Sequence, residues 1–180
     1  MNKETYRKVY TYNHHFMMAE SFLDEQHDQE KSEYNNSTAS IVFSAFAIEA
    51  YLNHIGEQIF KCWQDNLKKS LGIEAKLALI CEKVKVNVNF GIEPFQSFRA
   101  TFRFRNTMAH SVTESLSHQK SKHFLEIGKN SWPAAEWEKM ATFEVATTVY
   151  QNANILVDLI AKNTDVETVP RHVLSEFLEV

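Results

Sequence analysis

Cysteine, proline and glycine are all scarce in this chain, at two, three and four residues. Each shortage excludes something. Cys62 and Cys81 stand alone with no C-x-x-C spacing, so neither a disulfide framework nor a zinc site is signalled. The two thiols read as ordinary reduced residues of a cytoplasmic protein. So few Gly and Pro leave little turn chemistry for a β architecture, and the long segments free of both read as helices. No apolar run approaches the ~20 residues that a membrane span needs, and residues 1–20 are too polar for a secretory signal. Positive charge is short as well. A net charge of -4 argues against broad, non-specific coating of nucleic acid, although it leaves room for a small RNA site built from a few arginines. The chain has no H-E-x-x-H, glycine-rich phosphate loop or G-x-S-x-G element, and no metal or cofactor is called for.

What is present is apolar material in helical order. With 44% hydrophobic residues over 180 positions, one domain with a proper core is expected across 1–180, its core at about 5–163 and a tail at 164–180. Val9, Tyr12, Phe16, Ala19 and Leu23 recur at three- and four-residue steps, which predicts one helix from about Glu4 to Lys31. Ser37 or Thr38 is placed to cap the next, a central buried helix running to about Lys69, with a basic last turn and Gly72 as its stop. A short helix follows from Glu74 to about Lys83. Val84, Val86, Val88 and Phe90 then alternate; a short strand fits, but without a partner strand an extended loop fits better. Glu93-Pro94 opens a further helix. The polar stretch 113–130 reads as a loop, and Ser131-Trp132-Pro133 as the entry to a last long helix. Its apolar face runs from Trp137 and Met140 to Ile160, ending near Asn163. In the tail, Val173, Leu174, Phe177 and Leu178 fall at helical steps, ready to dock on the core or on a partner. The expected architecture is all-α, a mostly antiparallel bundle of four to five main helices.

The chemistry concentrates in Arg105-Asn106-Thr107-Met108-Ala109-His110. Arginine offers a permanent, forked donor set that matches phosphate oxygens two at a time. Histidine gives or takes a proton near neutrality. At about 100° per residue, Phe95, Phe98, Phe102, Arg105 and Ala109 share one stripe, and the Phe residues mark it as the buried face. A charge there requires a carboxylate, an interface or an anion. Glu49, set among Phe46, Ala47, Ile48 and Tyr51, is the matching carboxylate, and Asn53 lies one turn further on. Arg99, Arg103, Asn106 and His110 form a second, cationic stripe. Arg105 and His110 nevertheless sit about 140° and about 7.5 Å apart on a helix. One ligand reaches both only if the helix ends near His110 or a second copy completes the site. His118 and His123 are further groups within the loop's reach of a phosphate, whereas His14 and His15, adjacent in sequence, face different ways and make a poor metal pair.

At these residues the chain resembles the HEPN-domain family. Phe102 to Ser111, FRFRNTMAHS, is similar to its signature of Arg, a polar residue, several variable positions and His. FSAFAIEAYLNHIG, Phe43 to Gly56, is similar to the family's second long helix, which carries a Glu in an apolar run. Ile73 to Val84 and the Pro94 helix follow in the family's order, so that the likeness spans about residues 37–111. The resemblance implies a homodimer whose Arg/His motifs face each other, acting as a metal-independent endoribonuclease of the toxin or defence type on RNA, checked by a partner protein such as an antitoxin. His110 would move protons, Arg105 would stabilise phosphorane charge and Asn106 would assist, with Glu49, Arg103 and Arg99 auxiliary. Family members without cleavage imply an alternative, a nucleotide-binding or protein-interaction module. A purely structural helical dimer is a third reading.

Overall fold

The computed structural model describes residues 5–24, 30–116, 134–166 and 168–179. These residues fold as a helical bundle with one small two-stranded sheet. The order is β1 (Thr5–Val9), α1 (Thr11–Asp24), α2 (Glu30–Ile59), a π-helical turn (Trp63–Leu67), α3 (Lys68–Ser70), α4 (Ile73–Lys83), α5 (Phe95–His110), a 3-10 turn (Glu138–Met140), α6 (Phe143–Lys162) and β2 (Ser175–Glu179). Long α2 is the spine, packed against α1, α4, α5 and α6. Its apolar side carries Ile48, Tyr51, Leu52 and Ile55 into one core with Tyr12, Phe16, Leu77, Ile80, Phe98, Leu156 and Ile160. Ile41 joins Phe104, Ala146 and Val149 in a second cluster nearer the start of α2. No helix among the described residues is long and apolar enough to cross a membrane.

Four boundaries differ from the sequence reading, each for a tertiary reason. Residues 5–9 are not the first turns of α1 but an exposed strand, paired antiparallel with residues 175–179 of the tail in the register Arg7↔Phe177. The tail is thus a strand where helical steps suggested a helix. The pairing of these distant strands overrode the helical spacing of the tail, because β structure is decided by cross-strand context more than by local preference. Secondly, Ser37 and Thr38 do not cap α2, which begins at Glu30. They lie inside it, and Ser37, Ser40 and Ser44 are buried. Thirdly, α2 ends at Ile59 rather than near Lys69. Gly56 has no Cβ, and one built there would lie 2.3 Å from the Trp63 ring. The chain therefore turns after Ile59 and folds Trp63 back onto the helix, and Lys68–Ser70 forms its own short α3. Fourthly, Trp137 and Met140 precede α6 instead of lining it, because the helix starts after Thr142, whose hydroxyl accepts from Val145 N–H at 3.3 Å. Trp137 packs on Tyr34.

Other readings hold. Residues 86–89 run as an extended loop, and α6 stops at Lys162. Both cysteines are free, and burial pushes the Cys81 thiol up to about 12. The readings for the 113–130 loop beyond residue 116, with His118 and His123, and for Ser131-Trp132-Pro133 lie outside the described residues.

Candidate functional site

α5 positions nearly every residue of interest. Pro94 stands directly before it, and the Glu93 carboxylate accepts from Ser97 N–H at 2.9 Å, meeting one of the free amides of the first turn. Phe95, Phe98 and Phe102 are buried, so the first three turns are clamped to the core. Beyond them the stripe leaves the core: Arg105 is half-buried, with 22% of its side chain exposed, and Ala109 is exposed.

Arg105 meets Glu49. Its Nη2 donates to Glu49 Oε2 at 2.6 Å, and the guanidinium carbon stands 5.3 Å from the centre of the Phe102 ring. Glu49 is shared. Its other oxygen lies 3.7 Å from Nζ of Lys76, a side chain only 5% exposed, and Lys76 donates to Asn53 Oδ1 at 3.1 Å. Two cations therefore share one carboxylate where α2, α4 and α5 meet, and Lys76 alone also bonds the Asn53 amide oxygen. Asn53 extends the Glu49 cluster, and Lys76 is the member that sequence reading passed over. Its signal was present: Ile73, Leu77 and Ile80 put the apolar face of α4 beside position 76.

The second stripe opens onto a cleft of about 1050 Å³ lined by Glu74, Arg99, Arg103, Asn106, His110 and Glu114, among others. Arg99 grips Glu74 with two bonds, Nε to Oε1 at 3.0 Å and Nη2 to Oε2 at 2.9 Å, and stacks 4.0 Å from the Phe90 ring centre. Hydrogen bonding from Arg99 holds the Glu74 carboxyl below its usual range. Arg103, Asn106 and His110 are exposed along the same wall. The fold thus brings together Arg99, Arg103, Asn106 and His110, and separately Arg105 with Glu49. It does not bring Arg105 into the cleft with His110. The helix stays regular through His110, so the 140° offset expected from the spacing persists.

His15 rests against Phe43 and Phe46, with its basicity lowered by burial and by neighbouring His14. Among the described residues no three His, Cys, Asp or Glu side chains gather where a metal ion would sit. One wall of the cleft thus presents the Arg103 guanidinium, the Asn106 amide and the His110 imidazole to whatever enters it. Comparison with family models, curated proteins and solved structures finds no match to this chain.

Proposed function

We propose that the chain is a metal-independent endoribonuclease of the HEPN type, acting in the cytoplasm as a homodimer and held in check by a partner protein. The observation that carries this reading is the cleft in which His110, Asn106 and Arg103 stand on one helical wall. His110 takes the proton of a ribose 2′-OH as that oxygen attacks the adjacent phosphorus, or returns one to the departing 5′-oxygen. The P–O5′ bond breaks, leaving a 2′,3′-cyclic phosphate and a 5′-hydroxyl. Asn106 donates to a phosphate oxygen as charge accumulates there. Arg105 faces Glu49 in its own chain; a second copy set across the cleft supplies the guanidinium that one chain lacks beside His110. DNA, without the 2′-OH, is not cut by this route.

One observation favours a second reading. Arg99 and Arg105 are already engaged by Glu74 and Glu49, which leaves the site little spare positive charge and suits a nucleotide-binding or protein-interaction module. Cleavage of end-labelled mixed RNA in EDTA separates the two. The expected result is cutting with cyclic-phosphate ends, reduced at least ~100-fold in His110→Ala, with the matching DNA left intact. No cutting by folded wild type, or equal cutting by His110→Ala, overturns the nuclease reading.

A further inference from the structure

We infer that Arg103, rather than Arg105, is the guanidinium with which each chain grips the RNA backbone in its own cleft, holding the phosphate next to the one at which His110 acts. The inference rests on the nuclease reading above and deepens it. Of the three arginines of α5, two are occupied. Arg105 is tied to Glu49 at 2.6 Å and does not line the cleft. Arg99 lines it but spends its fork on both oxygens of Glu74 and its flat face on Phe90. Arg103 lines the same cleft and is exposed, and among the described residues no hydrogen bond or ion pair holds its guanidinium. Its field does reach Glu136, a carboxylate whose own partner is Lys139 at 2.5 Å.

Helical geometry gives the spacing. Arg103 and His110 are seven residues apart, about 20° short of two full turns, so they project from one side of α5 about 10.5 Å apart along the axis. Asn106 stands between them, about 4.5 Å from the level of Arg103 and about 6 Å from that of His110. That separation is too long for Arg103 and His110 to act on the same atoms, and it suits a strand lying along the wall. Arg103 on one phosphate leaves the next ribose beside Asn106 and His110. Arg103 is then a binding residue whose contact is the same before and during reaction. Its loss weakens binding and leaves the turnover of bound RNA nearly unchanged.

The test uses the full chain and a labelled 2′-O-methyl oligoribonucleotide, which presents the RNA backbone without an attacking 2′-OH. Affinities are measured over a range of salt for wild type, Arg103→Gln, Arg103→Lys and, as a control for lost charge elsewhere, Arg7→Gln on the β1 strand. The expected result is a loss of about tenfold or more for Arg103→Gln, with a salt slope smaller by about 0.7. Arg103→Lys recovers part of the affinity, because it keeps the charge without the fork, and Arg7→Gln stays within about twofold of wild type. With cleavable RNA, Arg103→Gln raises KM by a similar factor while His110→Ala lowers kcat. Wild-type binding that Arg103→Gln and Arg7→Gln weaken equally overturns the assignment of Arg103 and leaves the nuclease reading standing. Folded wild type that binds no probe at any concentration overturns both.

Discussion

Glu49 is the residue on which most local electrostatics depends. It answers Arg105 at 2.6 Å and Lys76 at 3.7 Å, and Lys76 is almost wholly out of water. A buried cation without its carboxylate costs several kcal/mol, and with one-third of the Glu49 side chain exposed the upper end of that range does not apply. Glu49→Gln is expected to destabilise the chain by about 2–3 kcal/mol in urea unfolding. Adding Lys76→Met to Glu49→Gln should recover part of the loss, because the uncompensated charge is then gone. Additive losses in that double-mutant cycle would show that the two side chains do not interact. The Arg105–Glu49 contact was legible in the sequence, since a cation and a carboxylate each stood in an otherwise apolar helical stripe. The sharing with Lys76 was not, because it depends on where α4 crosses α2.

At the scale of elements, the end of α2 shows how one missing carbon shapes a bundle. Ala in place of Gly56 would improve helix propensity by about 1 kcal/mol. Its Cβ would also stand 2.3 Å from atoms of the fully buried Trp63 ring. Overpacking of that kind typically costs more than the propensity gain, so Gly56→Ala is expected to be net destabilising by about 1–2 kcal/mol. Thermal unfolding reads the sign directly, and a raised Tm would mean that Trp63 has room to yield. The stacking of Phe60 on Trp63, 5.8 Å between ring centres, should loosen with it and change the near-UV circular dichroism. Sequence reading ran α2 on to Lys69 because Gly within a helical pattern is ordinarily tolerated. The close approach that makes this one necessary is invisible without the tertiary fold.

Across the whole molecule, the two ends of the described chain are stitched together over the bundle. β1 pairs with β2, Tyr10 OH donates to Glu176 at 2.7 Å, and the buried Asn13 amide donates to the carbonyls of Pro170 and Val173 at 3.0 and 2.8 Å. Arg171 donates to Asp158 at 2.8 Å and also engages Asn154. His54 sits under this seam between Tyr10 and Tyr12, with the Gln58 amide nitrogen 2.8 Å from its Nε2. Burial foremost, then Lys8, lowers its basicity below the ordinary 6.5, against a smaller opposing pull from Glu57. The unfolded chain therefore binds this proton more readily than the folded one. The stability contributed by neutral His54 is present above about pH 6.5 and is lost as pH falls through that value toward the lower folded-state pKa. Urea midpoints measured from pH 7.5 to 5 should fall for wild type and fall less for His54→Gln. Parallel curves would assign the acid sensitivity to other groups, His15 first among them.

The sequence by itself determined the helical class, the central place of the helix bearing Glu49, the clamped face of α5 and the residues with chemistry to offer. All of these follow from composition and 3.6-residue periodicity, which act locally. Only the tertiary structure decided that residues 5–9 and 175–179 are strands, since each needs a partner about 170 positions away. It alone opened a cleft along the His110 side of α5 and left Arg105, tied to Glu49, outside it. Helical spacing had stated their angular conflict. Which elements would stand on either side of α5 is set by packing between helices, and no single helix encodes that.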